Sequence, residues 1–180
     1  MKLNRIFSAM TALSGVLALG LAGMGSPALA ASATGNASAT IVTPIGITAG
    51  TALNFGTIDP GAGAGGTVTV FADGTATAYS GVAAVTGGTV SAGTFNVTGS
   101  GTLAYNVTLP AAAVTLNGSG GGTMTVDTFN SYTANTASTA GTGALSAGAD
   151  TLSVGAVLHV GGSQTAGTYT GTYSVSVVYQ

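Results

Sequence analysis

Beyond Arg5 the chain contains no lysine or arginine, and its acids are limited to Asp59, Asp73, Asp127 and Asp150. Recognition of phosphate or nucleic acid relies on arginine or lysine as the cationic partner, so those functions are excluded for everything after the first few residues. Cysteine is absent, which removes disulfides, thiolate metal ligands and thiol nucleophiles together. Tryptophan is absent as well, so the largest aromatic platform for stacking a sugar is missing. With so few charges, stability is expected to depend little on ionic strength.

The same scarcity limits catalysis. A metal site draws on three or four converging His, Cys or carboxylate ligands, and His159 is the single histidine. It alternates with the apolar positions of its segment and is therefore expected on a solvated strand face. A Ser-His-Asp arrangement would have to join His159 to Asp150 or Asp127, yet no serine sits in a G-x-S-x-G elbow. Residues 61–66 (GAGAGG) satisfy G-x-G-x-x-G, but the strand-like TVTVFA follows where a phosphate-binding helix would have to begin. A flexible loop is expected there. These features predict no enzyme activity, no cofactor and no metal.

What is abundant is glycine, threonine, alanine and valine. At the N-terminus, Lys2 and Arg5 precede an apolar run, and Ala28-Leu29-Ala30 supplies a small-x-small pattern. Residues 1–30 are therefore expected to be a secretory signal, and residues 31–180 a single exported domain with no membrane span after cleavage. Its destination is expected to be the periplasm, the outer surface or the extracellular medium.

Alternation of period two runs through the remainder. Residues 67–72 place Val68 and Val70 on one face, and residues 103–109 do so with Leu103, Tyr105, Val107 and Leu109. Residues 151–160 align Leu152, Val154, Ala156, Leu158 and Val160. The C-terminus aligns Tyr173, Val175, Val177 and Tyr179. Further strands are expected over 36–48, 52–58, 75–80, 94–98, 114–117 and 123–128, with breaks at 59–66, 118–122 and the low-complexity stretch 133–150. No sustained amphipathic helix is evident. Thr-x-Thr repeats such as TVTV and TYTGT are read as solvent-facing threonine on strands. Many short strands with one oily face predict an all-β, antiparallel two-sheet sandwich. Sheet edges are commonly guarded by lysine, which this chain lacks, so its edges are expected to be short and covered or else paired by another chain.

The closing residues AGTYTGTYSVSVVYQ, with Tyr179 next to last and Gly167 fourteenth from the end, resemble the C-terminal motif of chaperone-usher pilus subunits. The stretch AGTYTGTYSVSVVY also resembles the ending of spore-coat-U-like secreted proteins. From ATGNASATIVTPIGIT through LNFGTI to the Gly-Thr-Tyr ending, the chain resembles the bacterial family called domain of unknown function 4402. The pilus resemblance implies that the sandwich is of immunoglobulin-like (pilin-like) type, with an assembly strand carrying Gly167, Tyr173, Val175, Val177 and Tyr179. It also implies a donor strand within residues 31–48, with Ala37, Ala39, Ile41, Ile45 and Ile47 pointing one way, by the main-chain pairing of β-augmentation. Residues 31–48 serve equally well as the domain's own first strand. Pro44 removes a donor in mid-segment, which suits an edge in either case. The expected function is a non-catalytic structural subunit of a fimbria-like surface fibre, with copies of itself and a periplasmic chaperone as partners. The alternative is a monomeric secreted carbohydrate- or surface-binding module.

Overall fold

The computed structural model describes residues 30–180, so the expected signal segment lies outside the described residues except for Ala30. The body of the fold is residues 40–180. Its elements are all strands: β1 Gly46–Ala49, β2 Asn54–Phe55, β3 Ile58–Asp59, β4 Gly65–Val70, β5 Ala78–Ser80, β6 Ala83–Ala84, β7 Val90–Ser91 and β8 Gly93–Thr98. These are followed by β9 Ala104–Thr108, β10 Val114–Gly118, β11 Thr123–Thr133, β12 Thr142–Ala144, β13 Ala149–Gly161, β14 Tyr169–Thr170 and β15 Ser176–Tyr179. Every pairing is antiparallel.

β13 organises the body. Its even-numbered residues Leu152, Val154, Ala156, Leu158 and Val160 are all buried, the outcome that strict alternation predicts for a strand with one face on a core. Its length lets β8 pair with its first half and β4 with its second half, while β11 runs along the other side. Adding β5 beyond β4 and the order β1-β8-β13-β11-β10-β14 gives an eight-stranded sheet. The second layer is not one sheet. β12-β9-β15 form a three-stranded sheet, and β2-β7 and β3-β6 are separate pairs.

Two core clusters follow from this division. In one, Val68, Val70, Val126, Ala156, Leu158 and Val160 of the large sheet are covered by Phe55, with Leu53, Ile58 and Val90 around it. In the other, Val97, Leu152 and Val154 meet Tyr105, Val107, Val177 and Tyr179 from the three-stranded sheet. Burying each Val or Leu contributes about 1.5–3 kcal/mol, and this is how a chain without disulfides holds two layers together.

Phe129 borders both clusters because of a bulge in β11. Asp127 faces Val157 and Asn130 faces Gly155, so Thr128 and Phe129 stand against the single residue Ala156. Thr128 takes φ 49° to make this possible. The extra residue also resets parity: Val126 is buried before the bulge, Ser131 and Thr133 after it.

The low-complexity stretch expected as a break instead contains β12, whose Gly143 lies against the Tyr105 ring. Propensity is weak there, and pairing with β9 decides the conformation. The strand expected over 36–48 is confined to β1. The expected continuous C-terminal strand is divided: β14 pairs with β10 in the large sheet, whereas β15 pairs with β9 in the small one. Residues 171–175 cross between the layers.

Candidate functional site

The C-terminal segment and the chain around it form the candidate site. Tyr173, Val175, Val177 and Tyr179 all pack against the second core cluster, as their alternation requires. Tyr173 meets Phe95 edge-on, with ring centroids 6.0 Å apart, and Phe129 at 5.3 Å. Burial pushes its phenol above the ordinary tyrosine value. Its hydroxyl lies over Gly93, where a β-carbon would collide with it.

Tyr179 acts as a clasp. Its hydroxyl accepts a hydrogen bond from Ser100 N at 2.7 Å and donates one to Thr43 O at 2.8 Å. It reaches both because Gly99 beneath it has no side chain. The last strand thereby holds the entry of the first and the loop after β8. Gly167 stands before the crossover, against Ser119 and Gly120, where a β-carbon would come within 3.0 Å of Gly120 N and Ser119 Oγ. It does not share a strand with Val177 and Tyr179, so the five residues of the expected assembly strand are distributed over both layers.

β15 is an edge. Gln180 N donates to Ala104 O at 3.1 Å, which fixes the phase of the ladder and puts Ser176 and Val178 in hydrogen-bonded pairs with β9. The backbone groups of Val177 and Tyr179 consequently point away from β9, and among the described residues no backbone partner meets them. Val178 is 55% exposed. Upstream, residues 171–175 and residues 109–113 run from one layer to the other without a hydrogen bond to any described residue. An open cleft of about 620 Å³ separates them, bordered by Leu109, Pro110, Val114, Tyr173 and Val175.

The residues of the expected donor strand part company. Ile45 and Ile47 pack into the second core cluster, and β1 pairs with β8 of the same chain. Ala37, Ala39 and Ile41 are exposed and lie in no strand, Ile41 at 96%.

His159 does lie on the solvent face. It belongs to a cross-strand row of Ser80, Thr67, His159, Thr125 and Thr115, so the threonine repeats also face outward here. Its Nε2 lies 2.9 Å from Asp127 Oδ1, and this hydrogen bond draws the Asp127 carboxyl below its ordinary value. Thr128 Oγ1 donates to the same carboxylate oxygen at 3.0 Å. Among the described residues no three His, Cys, Asp or Glu side chains gather in a way that could hold a metal. Residues 61–66 lead directly into β4, with no helix to receive a phosphate.

Sequence reasoning missed a buried polar cluster. Asp150, 6% exposed, accepts hydrogen bonds from Tyr105 Oη at 2.7 Å, Asn135 N at 3.0 Å and Thr151 N at 2.7 Å. Burial, reinforced by the bond to Asp150 and its charge, pushes the Tyr105 phenol far up, so it remains a donor. Asn135 Nδ2 in turn donates to Ala144 O and Ala149 O. A carboxylate without a cation is stabilised here by hydrogen bonds alone, and Asp150 therefore belongs to the scaffold rather than to His159. The only sequence signal was an acid at the head of the longest apolar alternation.

An antiparallel all-β scaffold with a bare edge at β15 is the class this geometry defines. The family model described as domain of unknown function (DUF4402) matches residues 45–179, and the chain belongs to that family. The matched span starts at Ile45, one residue before β1, and closes on Tyr179, so it coincides with the folded body. Comparisons with curated proteins and with solved structures return no match.

Proposed function

We propose that this protein is an exported, non-catalytic structural subunit that builds fimbria-like surface fibres from copies of itself. The observation that carries the proposal is the bare edge of β15 in a chain that also exposes Ile41 almost completely. Unpaired strand edges template pairing with another chain, and soluble β-proteins suppress this with lysine, proline or a covering element. Here no lysine follows Lys2. A periplasmic chaperone that shields the edge before assembly fits the same feature. The His159–Asp127 pair is partly exposed and its neighbouring hydroxyl bonds to the carboxylate rather than to the imidazole, which supports a surface role over catalysis.

The test is light scattering and electron microscopy of mature protein with and without residues 31–42. This deletion spares Ile45, β1 and the Thr43 carbonyl held by Tyr179. Concentration-dependent polymers of the full form, lost on deletion, are expected. A monomer at every concentration, with specific binding to a glycan, would overturn the proposal in favour of a binding module.

A further inference from the structure

We propose that the cleft between residues 109–113 and 171–175 is the acceptor for the exposed segment 36–42 of a second copy of this chain. This rests on the assembly reading above and adds to the β15 edge a second unpaired surface, on the β9 side of the C-terminal segment, that takes a neighbour's strand. Strand pairs close the wall on either side of the cleft: Ser176 faces Thr108 in the small sheet, and Thr170 faces Asn117 in the large one. Between those points the two segments separate, and the backbone on both banks has no hydrogen-bond partner among the described residues. An extended segment laid between them gains main-chain bonds from either bank, which is the source of affinity in β-augmentation.

The occupant is specified by side chains. The cleft is bordered by Leu109, Val114, Tyr173 and Val175, and it contains no charged group. In residues 36–42 the alternate positions are Ala37, Ala39 and Ile41, and the segment has no charge either. Small side chains allow close approach of the backbone, and Ile41 supplies one larger apolar group to seat against Leu109 or Val175. Seven residues of strand extend roughly 23 Å, enough to run the length of either bank. Ile45 and Ile47 are already engaged in their own core, so the segment available to a neighbour ends before Pro44.

The absence of native cysteine makes the test clean. Residues on one face of adjacent strands lie about 4.5–5.5 Å apart, within reach of a disulfide. If Ile41 points to the apolar floor of the cleft, Thr40 lies at its solvent-exposed mouth, where Thr172 and Ser174 line it. Thr40→Cys protein is mixed with Thr172→Cys or Ser174→Cys protein and oxidised, with Thr151→Cys on the outer face of β13 as control. A disulfide heterodimer is expected with positions 172 or 174 and not with 151. Ile41→Asp should reduce assembly at least about tenfold, because a charge would be carried into an apolar cleft, while leaving the melting temperature of the monomer unchanged. Polymers that form without the cross-link, or that tolerate Ile41→Asp, would overturn this assignment and leave the fibre reading standing. No association of any kind would remove both.

Discussion

Replacing Tyr179 by phenylalanine keeps the ring in the second core cluster and deletes only the hydroxyl that accepts from Ser100 N and donates to Thr43 O. A neutral hydrogen bond contributes about 0.5–1.5 kcal/mol net, and an orphaned partner costs more when water cannot reach it. The Thr43 bond lies in an exposed setting and its carbonyl can be rehydrated, whereas the Ser100 amide is partly buried. The expected loss is therefore about 1–2 kcal/mol. In a body of this size that corresponds to a fall in Tm of roughly 3–8 °C. Urea unfolding followed by circular dichroism gives the free energy, and hydrogen exchange locates it: the amides of β1 and of residues 99–100 should lose more protection than those of β13, which fall only by the global loss. A change below about 0.5 kcal/mol, or a loss of protection in β1 no larger than that in β13, would refute the view that the penultimate tyrosine clasps the first strand.

Tyr105→Phe should cost more, about 1.5–3 kcal/mol, because the missing donor serves a buried carboxylate; a double-mutant cycle with Asp150→Asn measures the coupling, and additive effects would contradict a direct bond. The folded Asp127 carboxyl lies below its ordinary value, so its contribution is present above about pH 4 and is lost as pH falls through the folded value. Being partly exposed, the pair contributes about 0–1 kcal/mol, and Asp127→Asn should flatten only that acid limb of a urea-midpoint profile.

How much of this architecture was legible depended on whether the information was local. In residues 67–70 and 151–160 the alternation of valine and leucine with threonine, serine and histidine placed the buried face of β4 and β13, because side-chain direction along a strand is a property of the strand itself. The same holds for Tyr173, Val175, Val177 and Tyr179. The partner of each strand was not legible. Nothing local says that residues 169–170 join one sheet and 176–179 another, or that Thr128 and Phe129 stand against a single residue and carry Phe129 to the boundary of the two clusters.

The candidate site divides along the same line. Its apolar lining was readable, but the cleft exists only because residues 109–113 and 171–175 cross between layers without meeting. Likewise Ile41 and Ile45 look equivalent in a list of alternating residues, yet one is exposed and the other lies against the core. The sequence by itself determined the strand periodicity, the lack of cationic and thiol chemistry, and the faces that must be buried. Only the tertiary structure decided which edges remain unpaired and how the Asp150 carboxylate is satisfied. Both depend on contacts between residues far apart in the chain, such as Tyr105 with Asp150 and Tyr179 with Thr43, and local periodicity carries no record of those contacts.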